Sequence, residues 1–133
     1  MNVVIVGCGR VGAYLAQALA AEGHRVTMVD NRGIAFERLG TSFMGETVLG
    51  TGIDEDVLRR AGIEQADAFV AVTNGDNTNL MASQVVKEIF HVPQVICRIY
   101  DPVREEVYRG LGLTTFSPTV VGATAIKKLL EAK

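Results

Sequence analysis

The first dozen residues constrain this chain more than any other stretch. Asn2 to Val6 are almost all apolar and rich in β-branched side chains, the composition of a strand buried in a parallel sheet. Gly7, Gly9 and Gly12 follow with the spacing G-x-G-x-x-G. Each glycine has its own use: a tight turn, room for backbone to approach a pyrophosphate, and close packing of the next helix on the strand. Ala13 to Ala21 predict that helix, whose N-terminal amides and dipole would face phosphates.

Glycine is common, so the pattern alone is weak and its context carries the weight. A second strand, Arg25 to Val29, ends on Asp30, eighteen residues after Gly12. That is close to the spacing of an acid that accepts from a ribose hydroxyl. Strand, turn, helix and acid together predict a mononucleotide or dinucleotide site. The alternative is that the glycines serve only tight packing and Asp30 caps the next helix.

At 133 residues the chain has the size of one domain with one core. No apolar run approaches the ~20 residues that cross a bilayer. The N-terminus lacks a basic region followed by a signal core, so a cytosolic protein is expected. Net charge is −2 with no basic cluster, which removes the electrostatic footprint of a nucleic-acid binder. Cys8 and Cys97 lack C-x-x-C spacing and are expected as reduced thiols. Cys8 occupies a variable position of the glycine loop, and nothing near it in sequence supplies the base or cation that activates a thiolate.

Asn31 to Leu39 predict a short helix with Glu37 and Arg38 on its outer side. Arg32 either lies against an adenine or ribose or is solvated. Glu46 to Leu49 is a third strand. Gly50-Thr51-Gly52 follows at the edge of the sheet where doubly wound folds keep their ligands. Asp54 predicts a cap for a helix from Glu55 to Ala61, which Gly62 stops. Ala66 to Val72 is a fourth strand, ending in seven residues, Thr73 to Asn79, that are all polar or glycine. In a Rossmann strand order this run lies beside the glycine loop, where Thr73 and Asn74 can bond a ribose or a nicotinamide. Asp76 or Asn77 can instead cap the next helix, and Asn79 is open between the two uses.

That helix runs to Phe90, with Met81, Val85, Val86, Ile89 and Phe90 as its core stripe. His24 and His91 have no metal-ligand company. Gln94 to Ile99 make the fifth strand and carry Arg98, which in a buried strand needs an acidic partner or a phosphate, so a ligand or subunit-contact role stands beside a purely structural one. Asp101-Pro102 opens a helix that Gly110-Leu111-Gly112 ends. Leu113 to Phe116 is a sixth strand. Ser117-Pro118-Thr119 opens a last helix whose Val120, Val121, Ala123, Ala125, Ile126, Leu129 and Leu130 spread round most of its circumference. A helix apolar nearly all round is buried nearly all round, and a second subunit is the expected cover. The expected fold is α/β and Rossmann-like: a doubly wound parallel six-stranded sheet in the order 3-2-1-4-5-6.

The whole sequence resembles the RCK, or KTN, domain, the nucleotide-binding domain of Trk and Ktr type potassium-uptake regulatory subunits and of potassium-channel gating rings. The likeness rests on Val4 through Gly12, Asp30, Asp54 through Ile63 leading into Ala66-Asp67-Ala68, and Ala71-Val72-Thr73-Asn74 with Asp76 and Asn79. Val95 through Arg98, Asp101-Pro102 and Ser117-Pro118 complete it. The resemblance implies that Gly7, Cys8, Gly9, Arg10, Val11 and Gly12 hold phosphates and that Asp30 binds the adenosine ribose. It also implies that Thr73 and Asn74 line the same pocket and that Arg10 or Arg98 reaches phosphates, within one chain or across a dimer; Arg32, Thr51 and Gly52 join the candidate site from their places after the acid and at the sheet edge. One departure stands out: where the family often has Gly-Asp-Ala-Thr after the third strand, this chain has Gly50-Thr51-Gly52-Ile53. The family's second, C-terminal domain is not in this sequence. Residues 1–133 are expected as the N-terminal nucleotide-binding domain, with 118–133 the helix that crosses to a partner.

Two classes of function follow. One is a regulatory module, in which NAD(H) or ATP/ADP shifts the conformation of an oligomeric ring that gates a membrane potassium transporter or channel from its cytoplasmic face. Any pore then belongs to another chain. The other is a small NAD-dependent oxidoreductase, which needs a proton donor and a substrate pocket. None of Tyr14, Tyr100 or Tyr108 has a lysine four residues later, so the tyrosine-lysine pair of short-chain reductases is missing and regulation is the preferred expectation.

Overall fold

The computed structural model describes residues 1–110 and 112–132. Six strands alternate with helices: β1 (Asn2–Val6), α1 (Arg10–Ala21), β2 (Arg25–Asp30), β3 (Glu46–Leu49), α2 (Glu55–Arg60), β4 (Ala68–Ala71), α3 (Asp76–Glu88), β5 (Gln94–Arg98), α4 (Pro102–Gly110), β6 (Thr114–Phe116) and α5 (Pro118–Glu131). The strands form one parallel sheet in the order β3-β2-β1-β4-β5-β6, as the alternation predicts. β1 is therefore central. Val3 pairs with Val26 on one side and Ala68 on the other.

The pleat sends alternate residues of the central strands to opposite faces. Val4, Val6, Val29, Phe69 and Ala71 pack under α2 and α3. Val3, Ile5, Met28 and Val70 pack under α1 and under the segment Gly33–Leu39. That segment is the short helix expected over Asn31 to Leu39, wound as a 3₁₀ helix and starting two residues later. Asp54 caps α2 as expected, accepting from the amides of Asp56 at 2.8 Å and Val57 at 3.3 Å. Gly62 then turns the chain with φ 83°. Of the expected stop after α4, Leu111 lies outside the described residues, and Gly112 has φ 89°.

Two expectations need correction. The inward stripe of α3 is Asn79, Ala82, Ser83 and Val86, whereas Met81 and Ile89 are half exposed. Asn79 is drawn under the end of β4, and that rotation turns the small residues to the sheet and the large ones outward. Asp76 and Asn77 do not cap α3; Gly75 stands at that position without a side-chain cap. Asp76 accepts instead from the amides of Tyr100 at 2.8 Å and Asp101 at 3.4 Å. The carboxylate thus ties the start of α3 to the β5–α4 turn.

The far edge of the sheet is fastened by a buried carboxylate. Glu105 on α4 accepts from the hydroxyl of Thr115 on β6 and from the Arg109 guanidinium one turn along. The Thr115 hydrogen bond, seconded by Arg109, outweighs burial and holds the Glu105 carboxyl below its usual range. Its contribution to stability is therefore full above the unfolded-state value of about 4.3 and is lost as pH falls through the lower folded-state value. Glu105→Gln should cost roughly 1–3 kcal/mol at neutral pH, the range for hydrogen bonds to a charged group. In urea titrations at several pH values, the gap from the parent protein should narrow below about pH 4. A gap independent of pH would remove the charge from this clasp.

Candidate functional site

The carboxyl ends of the three strands β1, β2 and β3 are tied together by the chain's own amides. Gly7 N donates to Val29 O at 2.9 Å and Gly50 N to Asp30 O at 3.0 Å. The Asp30 carboxylate accepts from the Cys8 amide at 2.8 Å and from the Arg32 amide at 2.9 Å, one oxygen each. Asp30 therefore fixes the glycine loop against the end of β2, and each carboxylate oxygen keeps a lone pair. α1 begins at Gly9 with no capping side chain and no acid in its first turn. Its first backbone bond is Ala13 N to Gly9 O at 2.9 Å, so the amides before it are without helical partners and favour an anion.

These features open on one cavity of about 320 Å³. Of the residues singled out in the sequence, Gly7, Cys8, Gly9, Asp30, Arg32, Thr51, Gly52, Thr73 and Asn74 line it. Arg10, Val11, Gly12 and Arg98 do not. Gly12 sits beneath, where a Cβ would stand 1.9 Å from Gly7 O. A Cβ at Gly9, in contrast, meets nothing within 4 Å, so the loop leaves open space where a phosphate would approach. By that measure the residues present fit a nucleotide phosphate.

Arg98 is engaged elsewhere through Nη2, while its buried Nε has no hydrogen-bond partner among the described residues. Its guanidinium donates to Val72 O and Thr73 O, each at 2.7 Å, and lies 4.6 Å from the centre of the Tyr100 ring. Asn79 completes the clasp: its amide nitrogen donates to Thr73 O at 3.1 Å and Arg98 O at 2.9 Å, and its oxygen accepts from the Thr73 amide and hydroxyl. Arg98 and Asn79 thus hold the Val72–Thr73 turn from below. Asn74, on the exposed side of that turn, has no internal hydrogen bond among the described residues.

Burial, reinforced by the Asp30 carboxylate, pushes the Cys8 thiol up, against the pull of Arg38. A raised thiol stays protonated and donates to Ala35 O. Arg38 is the cavity residue that the sequence reading placed outside. Its Nη1 donates to Cys8 O at 3.1 Å. Ala35 and Arg38 both line the cavity, because three residues per turn bring positions i and i+3 onto one line of a 3₁₀ helix.

A second cavity, of about 510 Å³, lies at the opposite edge among Val26, Glu46, Arg60 and Gly62. It faces the C-terminal end of α2, whose dipole is negative and disfavours an anion.

Residues 3–118 match the TrkA-N domain family. The chain belongs to that family. Over 115 residues this TrkA-N domain is 55% identical to the Trk system potassium uptake protein TrkA of Streptomyces coelicolor, covering 86% of this chain and 52% of that protein. Over 131 residues it is 35% identical to the TrkA homolog of Methanothermobacter thermautotrophicus, covering 98% of this chain and 60% of that protein. The domain thus spans a little over half the length of these curated relatives. Among solved structures it superposes on the AMP-bound Kef CTD of Shewanella denitrificans with a TM-score of 0.84 at 20% identity, over 100% of this chain and 84% of the other. The NAD-bound GsuK channel gives 0.72 at 20% identity, over 88% of this chain and 21% of the other. At these identities the superpositions establish the fold.

Proposed function

We propose that this TrkA-N domain is a regulatory module, not an enzyme, that binds an adenine nucleotide, NAD(H) or ATP/ADP, in the carboxyl-edge cavity. The bound nucleotide biases an oligomer that gates a membrane potassium transporter or channel from its cytoplasmic face. One observation carries the reading: the glycine loop, the uncapped start of α1 and the fixed Asp30 carboxylate converge on one open space. The family supports the potassium role, and the AMP and NAD named for the two superposed structures are consistent with the ligand class.

In this reading the amides at the start of α1 hold the phosphates and Asp30 accepts from the ribose hydroxyls. Thr73 and Asn74 bound the far side. The nucleotide contributes charge and contacts, and a shift between two arrangements follows only to the extent that it binds one of them better. Arg98 and Asn79 act as positioning residues for Thr73. An oxidoreductase reading has less support, because Cys8, Asp30, Arg32 and Arg38 are the ionisable groups lining the cavity. The thiol is held protonated, the carboxylate is bound to amides, and arginine does not give up its proton at neutral pH. α5, Pro118–Glu131, is assigned to cross to a second copy; Lys133 of the expected crossing segment lies outside the described residues.

Calorimetric titration with NADH, NAD, ATP and ADP, with light scattering on the same samples, tests the proposal. Binding of one nucleotide in the micromolar range, without consumption and with a change of assembly, is expected. No binding by any of them, or turnover of the bound nucleotide, refutes it. NADH should bind more tightly than NADPH, because a 2′-phosphate would meet the Asp30 carboxylate. The opposite ranking would displace Asp30 from the ribose.

A further inference from the structure

We propose that Arg38 is a second ribose-binding residue, which donates to the hydroxyl oxygens of the diol whose protons Asp30 accepts. The inference rests on the nucleotide reading above and names how that site reads its sugar. A ribose diol offers two donors and two acceptor oxygens. Asp30 supplies acceptors only, one free lone pair on each oxygen once the Cys8 and Arg32 amides are bound. A donor of fixed direction is needed beside it.

Arg38 meets that need. Asp30 and Arg38 hold the two sides of one residue, the carboxylate taking Cys8 N and the guanidinium giving to Cys8 O. Both act on the Cys8 thiol with opposite sign, which places both charges within electrostatic reach of it. Both line the cavity. Arg38 has no ion-pair partner among the described residues, and the bond to Cys8 O uses one of its five N–H groups. Its backbone is fastened to α1, with Gln17 donating to Arg38 O at 3.3 Å and Leu39 O at 2.9 Å. Arg38 is exposed as a residue, and the bond to Cys8 O brings its guanidinium to the cavity wall.

The adversary reading is that Arg38 only steadies the glycine loop through Cys8 O. Titrating the parent domain, Arg38→Ala and Arg38→Lys with 5′-AMP and its 2′-deoxy and 3′-deoxy analogues separates the two. 5′-AMP is the moiety common to every nucleotide proposed above. Arg38→Ala should weaken 5′-AMP about tenfold, the scale of one charge-assisted hydrogen bond. It should leave at least one deoxy analogue bound as weakly as by the parent, because the oxygen that Arg38 serves is then already gone. Arg38→Lys should recover part of the loss. An equal loss for 5′-AMP and both analogues assigns Arg38 to the loop and overturns the inference, as does an unchanged affinity for 5′-AMP. A parent domain that binds none of 5′-AMP, NADH, NAD, ATP and ADP refutes the nucleotide reading itself, and the inference falls with it; one that binds NADH but not 5′-AMP overturns the inference alone.

Discussion

Gly9→Val should leave the domain folded and weaken nucleotide binding by more than a hundredfold, whereas Gly12→Ala should strongly destabilise the fold. The two glycines are three residues apart in one motif, and their surroundings are opposite. At Gly9 an added Cβ meets nothing within 4 Å, and the residue has φ −86°, which any side chain adopts. The valine side chain would grow into the open space of the cavity, where the phosphate needs backbone contact. At Gly12 the Cβ would lie 1.9 Å from Gly7 O, a backbone atom held by the Gly7 N–Val29 O bond and by φ 113° at Gly7 itself. The clash can be relieved only by lifting α1 off the sheet, at a cost of about 3 kcal/mol or more. Circular-dichroism melts with NADH and 5′-AMP calorimetry read both outcomes. A folded Gly9→Val protein of unchanged affinity would take the phosphate role away from this loop.

That contrast marks what a sequence can carry. The periodicity of the strands, the glycine spacing and the Asp54 cap are local properties, and the order β3-β2-β1-β4-β5-β6 follows from helix-strand alternation with few alternatives. Arg38 was read on the outer side of a short helix and is exposed, but its reach to the Cys8 carbonyl was not legible, because it depends on the 3₁₀ winding that sets Arg38 in line with Ala35. Asn79 was ambiguous for another reason. A run of seven polar or glycine residues has no period that says which one is buried. The chain buries Asn79 because the Thr73 amide and the Thr73 and Arg98 carbonyls need partners away from water. Arg98 was legible only in part. A buried arginine was read as needing an acid or a phosphate; the carbonyls of Val72 and Thr73 take its Nη2, Asp76 lies within electrostatic reach, and its buried Nε has no hydrogen-bond partner among the described residues.

Ile126→Asp with Leu129→Asp should convert an associating protein into a monomer. No residue of α5 is buried within the chain, and Ile126, Leu129 and Leu130 are 61%, 75% and 81% exposed. Among the described residues the helix is tied to the rest of the chain by hydrogen bonds at its start, where Ser117 accepts from Val120 N and donates to Tyr100 O at 3.1 Å, with Thr119 donating to the same carbonyl. A fourteen-residue helix fixed at one end is marginal in water without packing on its apolar surface. On the α1 face of the sheet, Ile96 and Phe116 are only partly buried against the core. Two copies exchanging α5 would cover both. Burying two large aliphatic side chains is worth roughly 3–6 kcal/mol, so the paired aspartates should raise the dissociation constant at least a hundredfold and reduce helical ellipticity as α5 frays. The cavity lies at the carboxyl edge of β1, β2 and β3, clear of α5, so 5′-AMP affinity of the isolated site should change far less. Sedimentation at micromolar concentration decides the matter: a monomeric parent protein would leave α5 without the partner this pattern requires.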